Sequence, residues 1–292
     1  MAPINTHMKA ILICPGYRPA VPQLLETGPL AAAPLLGETL LAYWLVHLAS
    51  LGAKEVTILA CDRPGAIRQL AGTGSRWGLR IKVVGEMHEL TPAEARAKHG
   101  GGEGWLPAPH DAVRADCLPG MESHPLFESY AAWFAGIQAW QDRAITPDRT
   151  GIREISPGIR VGWQSRIPAD AVLVAPCWIG EKVSLGGGVT IGPNAVIENR
   201  AVVGSGAEIV RSIVGPDTFV GDLTEISDSL ATGDTLVNWQ DGSSLQVSDE
   251  FLLCPLRRPS RDATEWFRRV AQALTGSSPA LLPADRAVAP HA

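Results

Sequence analysis

Residues 167–209 read IPADAVLVAPCWIGEKVSLGGGVTIGPNAVIENRAVVGSGAEI, and an aliphatic residue recurs at every sixth position of this stretch. The recurring positions are Ile167, Leu173, Ile179, Leu185, Ile191, Ile197, Val203 and Ile209. A period of six matches neither the roughly 3.6-residue period of a helix nor the two-residue alternation of a flat strand. It predicts a β-solenoid whose triangular coils stack strand on strand about 4.8 Å apart. An ordinary β-sandwich, the alternative, would show turn signals roughly every 8–12 residues.

Small or β-branched residues follow the first seven of these anchors at a distance of four: Ala171, Cys177, Val183, Val189, Ala195, Ala201 and Ala207. We expect the anchors to fill the interior and these smaller residues to fit the corners. The register slips once, because Val214 lies five residues after Ile209, and it resumes at Val220 and Ile226. The solenoid is predicted from about residue 167 to 230, within a domain over 160–245. The pattern resembles the left-handed parallel β-helix of the hexapeptide-repeat family.

Composition restricts the class of protein and its partners. The chain has 292 residues, enough for two domains, and a net charge of −5 without runs of like charge. No basic stripe is present in the sequence, so we expect no nucleic acid partner. The five cysteines lack Cys-X-X-Cys pairing, which is typical of reduced thiols and indicates a cytoplasmic location. The apolar run 11–13 is too short for a signal peptide or a membrane span, so we expect no membrane partner.

The N-terminal part predicts alternating strands and helices. Buried strands are indicated at 9–13, 55–60 and 79–84, and helices at 39–51 and about 65–70. This order predicts an α/β domain over residues 8–145 with a doubly wound parallel sheet. In such sheets the ligand binds at the carboxyl ends of the strands, which places the expected site in the loop after Ile13.

Five stretches of the N-terminal part carry a second resemblance: MKAIL at 8–12, PLL at 34–36, TLLAY at 39–43, GAKEVTI at 52–58 and GTGSRWGLRI at 72–81. They are similar to the sugar-nucleotide nucleotidyltransferases, or NDP-sugar pyrophosphorylases, from Met8 to about Val84. Several members of that family carry a hexapeptide β-helix after the catalytic domain. The resemblance implies a role in sugar-nucleotide or polysaccharide metabolism, with a nucleotide or sugar nucleotide as the ligand.

The family's chemistry suggests candidate site residues. A sugar-1-phosphate attacks the α-phosphate of a nucleoside triphosphate, which requires positioned amides, basic residues and Mg²⁺. The resemblance implies that Cys14, Pro15 and Gly16 contact the nucleotide and that Arg18 assists catalysis at the phosphates. A solvated loop arginine is the alternative for Arg18. Asp116 is the candidate catalytic carboxylate and the candidate ligand of Mg²⁺.

Other parts of the catalytic pattern are missing from the sequence. Pro15 and Pro19 lack donor amides, and the family's phosphate-binding lysine falls at Ala33. About fifty residues separate Asp116 from the solenoid, too few for the family's sugar-binding half, so the domain is truncated. Two function classes stay open. One is a degenerate regulatory or scaffolding subunit without a cofactor, which the missing parts favour. The other is an active sugar-1-phosphate nucleotidylyltransferase with a divergent loop, which would need Mg²⁺.

The residues between the two predicted domains are rich in aromatic side chains. Residues 124–134 predict a helix whose stripe of Phe127, Tyr130, Phe134 and Ile137 suits core packing better than ligand binding.

The β-helix contains no histidine, which argues against the acyltransferase and zinc carbonic anhydrase activities of other β-helix proteins.

The surface of the solenoid leads to further expectations. Six polar residues are predicted to form solvated faces: Glu181, Lys182, Asn194, Glu198, Asn199 and Arg200. A homo-oligomer is expected through a flat side of the β-helix, with Trp133, Trp140, Trp163 and Trp178 near the domain junction as candidate anchors. Residues 246–276 are predicted to add a strand and a capping helix that opens with a capping box at 262–265, and 277–292 a flexible tail.

Overall fold

The computed structural model describes residues 8–144 and 151–256. Its N-terminal elements are β1 (Met8–Ile13), α1 (Pro22–Glu26), β2 (Pro34–Leu35), β3 (Glu38–Thr39), α2 (Leu40–Ser50), β4 (Ala53–Ala60), α3 (Pro64–Ala71), β5 (Arg80–Gly85), α4 (Pro92–His99), β6 (Ala112–Arg114) and α5 (Tyr130–Trp140). Strands β5, β4, β1 and β6 form a parallel sheet in that order. The predicted alternation of strands and helices is therefore confirmed.

Helices cover both faces of this sheet. Leu12 and Ile58 pack into the apolar cluster that α2 and α3 share, whereas Ile11 and Ile13 pack on the α4 side with Ala95. This two-sided burial explains why the strands read as continuous apolar runs. The longest helices in the described part of the chain, α2 and α5, have 11 residues each, too few to cross a bilayer.

The second half consists of short strands. They are β7 (Ile152–Ser156), β8 (Ile159–Gly162), β9 (Val172–Leu173), β10 (Cys177–Ile179), β11 (Ser184–Leu185), β12 (Thr190–Ile191), β13 (Ala195–Ile197), β14 (Val202–Val203), β15 (Glu208–Val210), β16 (Ile213–Val214), β17 (Thr218–Val220), β18 (Glu225–Ser227), β19 (Ser229–Thr232), β20 (Thr235–Asn238), β21 (Ser244–Gln246) and β22 (Leu253–Pro255).

These strands form the three faces of a β-helix. Face one stacks β8, β10, β13, β16 and β19 in parallel, face two stacks β11, β14 and β17, and face three stacks β9, β12, β15 and β18. Antiparallel neighbours end the stacks, with β7 before face one, β20 and β21 after it, and β22 beside β17. The predicted anchors line the interior, where Ile179, Ile191 and Ile197 are fully buried. The left-handed sense of winding stays a prediction.

The register slips twice rather than once. Ile197 pairs with Val214 and Val214 pairs with Ala231, so two successive coils are one residue shorter than the coil that pairs Ile179 with Ile197. Both deletions lie at the corner between faces three and one. There Arg211 and Asp228 take positive φ values of 46° and 51°, and Arg211 Nε donates to Asp228 Oδ1 at 2.7 Å. The second slip was missed because the small Ala231 does not stand out as an anchor.

Face one also carries an apolar column on its outer side. The column consists of Trp178, Val196, Ile213 and Leu230, which are register neighbours and pack in the same cluster as the aromatic residues of α5. Because one outer face is covered in this way, the described residues from 8 to 256 belong to one compact unit. The predicted division near residue 145 falls on residues outside the described part.

Helix α5 begins later than the sequence indicated. Ser129 is its N-cap, where the side chain accepts a hydrogen bond from the Ala132 amide at 3.0 Å, so Phe127 precedes the helix. Phe127 is nevertheless buried and stacks on Trp133, with ring centroids 5.6 Å apart. The core-packing interpretation of the stripe is therefore confirmed. The predicted capping helix and the tail from 277 to 292 lie outside the described residues.

Candidate functional site

The carboxyl edge of the parallel sheet gathers the polar residues that the sequence singled out. Gly16 and Arg18 follow strand β1, and Asp116 follows β6, its neighbour in the sheet. Two residues that were not singled out lie there as well: Glu89 follows β5, and Arg114 ends β6. They meet because the carboxyl ends of parallel strands lie at one edge.

The loop after β1 directs one backbone amide to this edge. The Cys14 amide donates at 2.9 Å to a carbonyl of strand β4, and Pro15 has no amide hydrogen. The Gly16 amide donates to the Glu89 carboxylate, with 2.8 Å between N and Oε2. A Cβ atom at position 16 would lie 2.9 Å from Cys61 Sγ, so a glycine is needed for this close approach. Of the three predicted nucleotide contacts, only Gly16 has its amide at the edge.

The Glu89 carboxylate is the centre of the polar network. Arg18 binds it through both terminal nitrogens, with Nη1–Oε2 at 2.8 Å and Nη2–Oε1 at 2.9 Å. Arg114 Nη2 donates to Glu89 Oε1 at 2.8 Å and lies 3.1 Å from Asp116 Oδ2. Two arginines and two carboxylates thus form a charge-balanced network in which bidentate pairing fixes the geometry. Leu90, buried on the α4 side of the sheet, holds the segment in place.

Charge pairing sets the protonation states at the edge. Burial alone would raise the pKa of Glu89, but hydrogen bonds from Arg18 and the Gly16 amide outweigh burial, so this pKa is lowered. The pKa of Arg18 is raised, chiefly by its hydrogen bond to Glu89. Burial raises the pKa of the Cys14 thiol to about 12. At neutral pH Glu89 is therefore an anion and Cys14 a neutral thiol.

Asp116 is the residue expected to bind Mg²⁺. The ion takes oxygen ligands and retains several waters, so the carboxylate must be open to it. Here Arg114 lies against Asp116 and both arginines engage Glu89. Within residues 8–144 and 151–256, no group of three or more histidine, cysteine, aspartate or glutamate side chains could hold a metal ion. This donor set does not fit Mg²⁺ as it stands, and ligation by Asp116 stays a prediction.

Ala33, where the resemblance would place a phosphate-binding lysine, is part of the core. Ala33 is buried, its amide donates to the Leu30 carbonyl at 3.0 Å, and its carbonyl accepts from the Leu40 amide at 3.3 Å. Its methyl group belongs to the main apolar cluster. The position therefore serves packing and supplies no charge to a phosphate.

A second polar contact joins the β2–β3 hairpin to the β-helix. Glu198 is 1% exposed, and its carboxylate accepts hydrogen bonds from the Leu36 amide at 2.6 Å and the Gly37 amide at 2.7 Å. Asn199 Nδ2 donates to the Gly37 carbonyl at 2.9 Å. The prediction that Glu198 and Asn199 lie on a solvated face is wrong, because the hairpin covers them.

Cavities of about 180 and 390 Å³ lie beside the hairpin, and Pro34 lines both.

Sequence reasoning missed Glu89, Arg114 and the role of Glu198. Glu89 had one signal, which is that it follows the predicted strand at 79–84, whereas Arg114 ends β6, a strand that was not predicted. Glu198 has a weaker signal, since it follows the anchor Ile197 at a position held by glycine after Ile179 and Ile191. A carboxylate at such a position indicates a nearby donor.

Residues 176–211 match the family described as bacterial transferase hexapeptide (six repeats). The match lies within the β-helix and confirms the hexapeptide repeat, while it leaves the N-terminal part without an assignment. No curated protein matches the chain.

Proposed function

We propose that the chain is a catalytically degenerate relative of the NDP-sugar pyrophosphorylases, acting as a regulatory or scaffolding subunit in sugar-nucleotide or polysaccharide metabolism. The observation that carries the proposal is the placement of α5. In the described residues between β6 and β7, α5 is the only helix or strand, and its apolar side chains share one cluster with α2 and with the outer column of face one. In the family that the N-terminal part resembles, this part of the chain forms the sugar-binding half.

The contacts of α5 use its aromatic side chains for packing. Phe134 stacks on Trp239 of the β-helix, with ring centroids 4.4 Å apart and planes 6° from parallel. On the side of the sheet, Trp140 meets Tyr43 of α2 edge to face at 5.6 Å. Contacts of this kind stabilise a core and leave these rings unavailable to a sugar. A helix in this role supports scaffolding better than substrate binding.

The carboxyl edge supports the same proposal. A phosphate-transfer site needs donors aimed at the reacting phosphates and a metal ion to neutralise charge. Here the Gly16 amide and Arg18 are directed to Glu89, and Ala33 offers no cation. We therefore expect very slow catalysis or none. The proposal also includes a cytoplasmic location and a retained ligand or protein partner.

Measurement of pyrophosphate release tests this function. The assay would combine the purified chain, Mg²⁺, each common nucleoside triphosphate and hexose-1-phosphates. We expect release no faster than in a heat-denatured control. Release that continues over many turnovers, and that the Asp116→Asn variant loses, would overturn the proposal and support an active nucleotidylyltransferase.

A further inference from the structure

We propose that the Gly16 amide, Arg18 and Arg114 form a binding site for a phosphate-bearing ligand, and that Glu89 closes this site by occupying it. The inference rests on the proposed function, because it treats the carboxyl edge as a binding site without catalysis. The two proposals rest on different residues, because α5 carries the proposed function and takes no part in the polar network around Glu89.

The donors at this edge converge on one anion. The Glu89 carboxylate accepts one hydrogen bond each from Arg18, the Gly16 amide and Arg114, at donor–acceptor distances of 2.8–2.9 Å, and Arg18 Nη1 forms an ion pair with Oε2 at 2.8 Å. Guanidinium groups pair bidentately with phosphate as they do with carboxylate, and a backbone amide donates to either. A phosphate group could therefore replace Glu89 without any new donor.

The donors can be reached from solvent. The Arg18 side chain is 26% exposed and the Arg114 side chain 41%, while the Glu89 side chain between them is 16% exposed. Without Glu89 the Gly16 amide would lose its acceptor and Arg18 its carboxylate partner, while Arg114 would keep Asp116, so Glu89 stabilises the empty site. A ligand has to displace Glu89. The apparent affinity of the chain for the ligand is therefore reduced by the fraction of molecules in which Glu89 has left the site.

The segment that carries Glu89 lies between β5 and α4, where Met87 is 99% exposed. A nearby carboxylate on this segment, Glu86, provides a matched control. It is also paired, but with Lys98 at 2.5 Å and His99 at 2.7 Å rather than with the loop after β1. Removal of either carboxylate changes the net charge equally, and only Glu89 occupies the proposed site.

Isothermal titration with inorganic pyrophosphate, without Mg²⁺, tests the closure. We expect Glu89→Ala to bind pyrophosphate at least tenfold more tightly than the natural chain, and Glu89→Gln to lie between them. Glu86→Ala should match the natural chain. Adding Arg18→Ala to Glu89→Ala should remove the gain. If the alanine variant does not fold, the near-isosteric glutamine variant decides the comparison against the natural chain.

Equal affinity in the natural chain and the folded Glu89 variants would overturn the closure. A gain that survives Arg18→Ala, or that Glu86→Ala reproduces, would also overturn it, because the anion would then bind elsewhere. The proposed function can fail separately. Pyrophosphate release by the natural chain would contradict scaffolding, whereas the titration reports anion binding alone.

Discussion

The carboxylate of Glu198 in the β-helix accepts a hydrogen bond of 2.6 Å from the backbone amide of Leu36 in the N-terminal hairpin. Leu36 takes a positive φ of 50° and is followed by Gly37 at 83°, so the turn presents two successive amides to one carboxylate. Together with helix α5, this contact makes the α/β sheet and the β-helix parts of one unit. A flexible attachment of two independent domains would not need such a buried charge.

Replacement of Glu198 by alanine should destabilise the chain. Two amides at the junction would lose a charged acceptor, and we expect the free energy of unfolding to fall by about 3 kcal/mol. Urea denaturation followed by tryptophan fluorescence measures the change. The control is Glu208→Ala, at an exposed position on face three, for which we expect a change below about 0.5 kcal/mol. Equal effects of the two substitutions would contradict the importance of this contact.

Two tryptophans at neighbouring coils provide a matched pair. Trp178 is fully buried in the outer column of face one, whereas Trp163 is 65% exposed. We expect Trp178→Ala to lower the free energy of unfolding by about 3–5 kcal/mol, since a large side chain leaves the core. Trp163→Ala should change it by no more than about 1 kcal/mol. A small effect at position 178 would mean that α5 does not pack on face one.

The lowered pKa of Glu89 predicts a dependence of stability on pH. A group whose pKa is lower in the folded chain stabilises it above its unfolded pKa. That contribution is lost as the pH falls below the ordinary glutamate value of 4.5 and through the folded pKa. We expect Glu89→Gln to reduce the free energy of unfolding by about 1–2 kcal/mol at pH 7, and the difference to shrink toward pH 3. A difference that stays constant from pH 7 to 3 would contradict the ion pair with Arg18.

Self-association should use a face that α5 leaves uncovered. Face two presents the partly exposed Val202 and Phe219 on its outer side, while face three presents the acidic Glu208 and Glu225. We therefore expect a homo-oligomer through face two, with a mass that is a multiple of 31.0 kDa in light scattering. Val202→Asp should shift the mass toward that of one chain. A constant mass of one chain at micromolar concentration would show that the expected oligomer does not form.

The sequence predicted the β-helix well because its rule is local. An aliphatic residue at every sixth position defines the interior, and Ile179, Ile191 and Ile197 are buried as that rule requires. The parallel sheet could be predicted for a similar reason, since continuous apolar strands and amphipathic helices are read from neighbouring residues. The second shortened corner was the failure, because it placed the small Ala231 at the interior position, where no aliphatic anchor marks it.

The polar sites depend on contacts between distant parts of the chain. Glu89 meets Gly16 across 73 positions, and Glu198 meets Leu36 across 162, so no local pattern could place either pair. The outer column of face one was visible in the sequence as four apolar residues spaced by 17 or 18, beginning at Trp178. The sequence did not show that α5 packs against this column, so the column could not be recognised as part of the core. Three of the four tryptophans considered as interface anchors are buried within the chain for this reason.

Exchange of labelled pyrophosphate into nucleoside triphosphates tests the central claim most directly. The reaction would contain the chain at high concentration with Mg²⁺ and NDP-sugars, so that even slow reversal of nucleotidyl transfer accumulates label. A degenerate scaffold should incorporate no label beyond the heat-denatured chain. Steady incorporation that depends on the NDP-sugar and disappears in Asp116→Asn would contradict the account, because it would show that the carboxyl edge retains a working catalytic site.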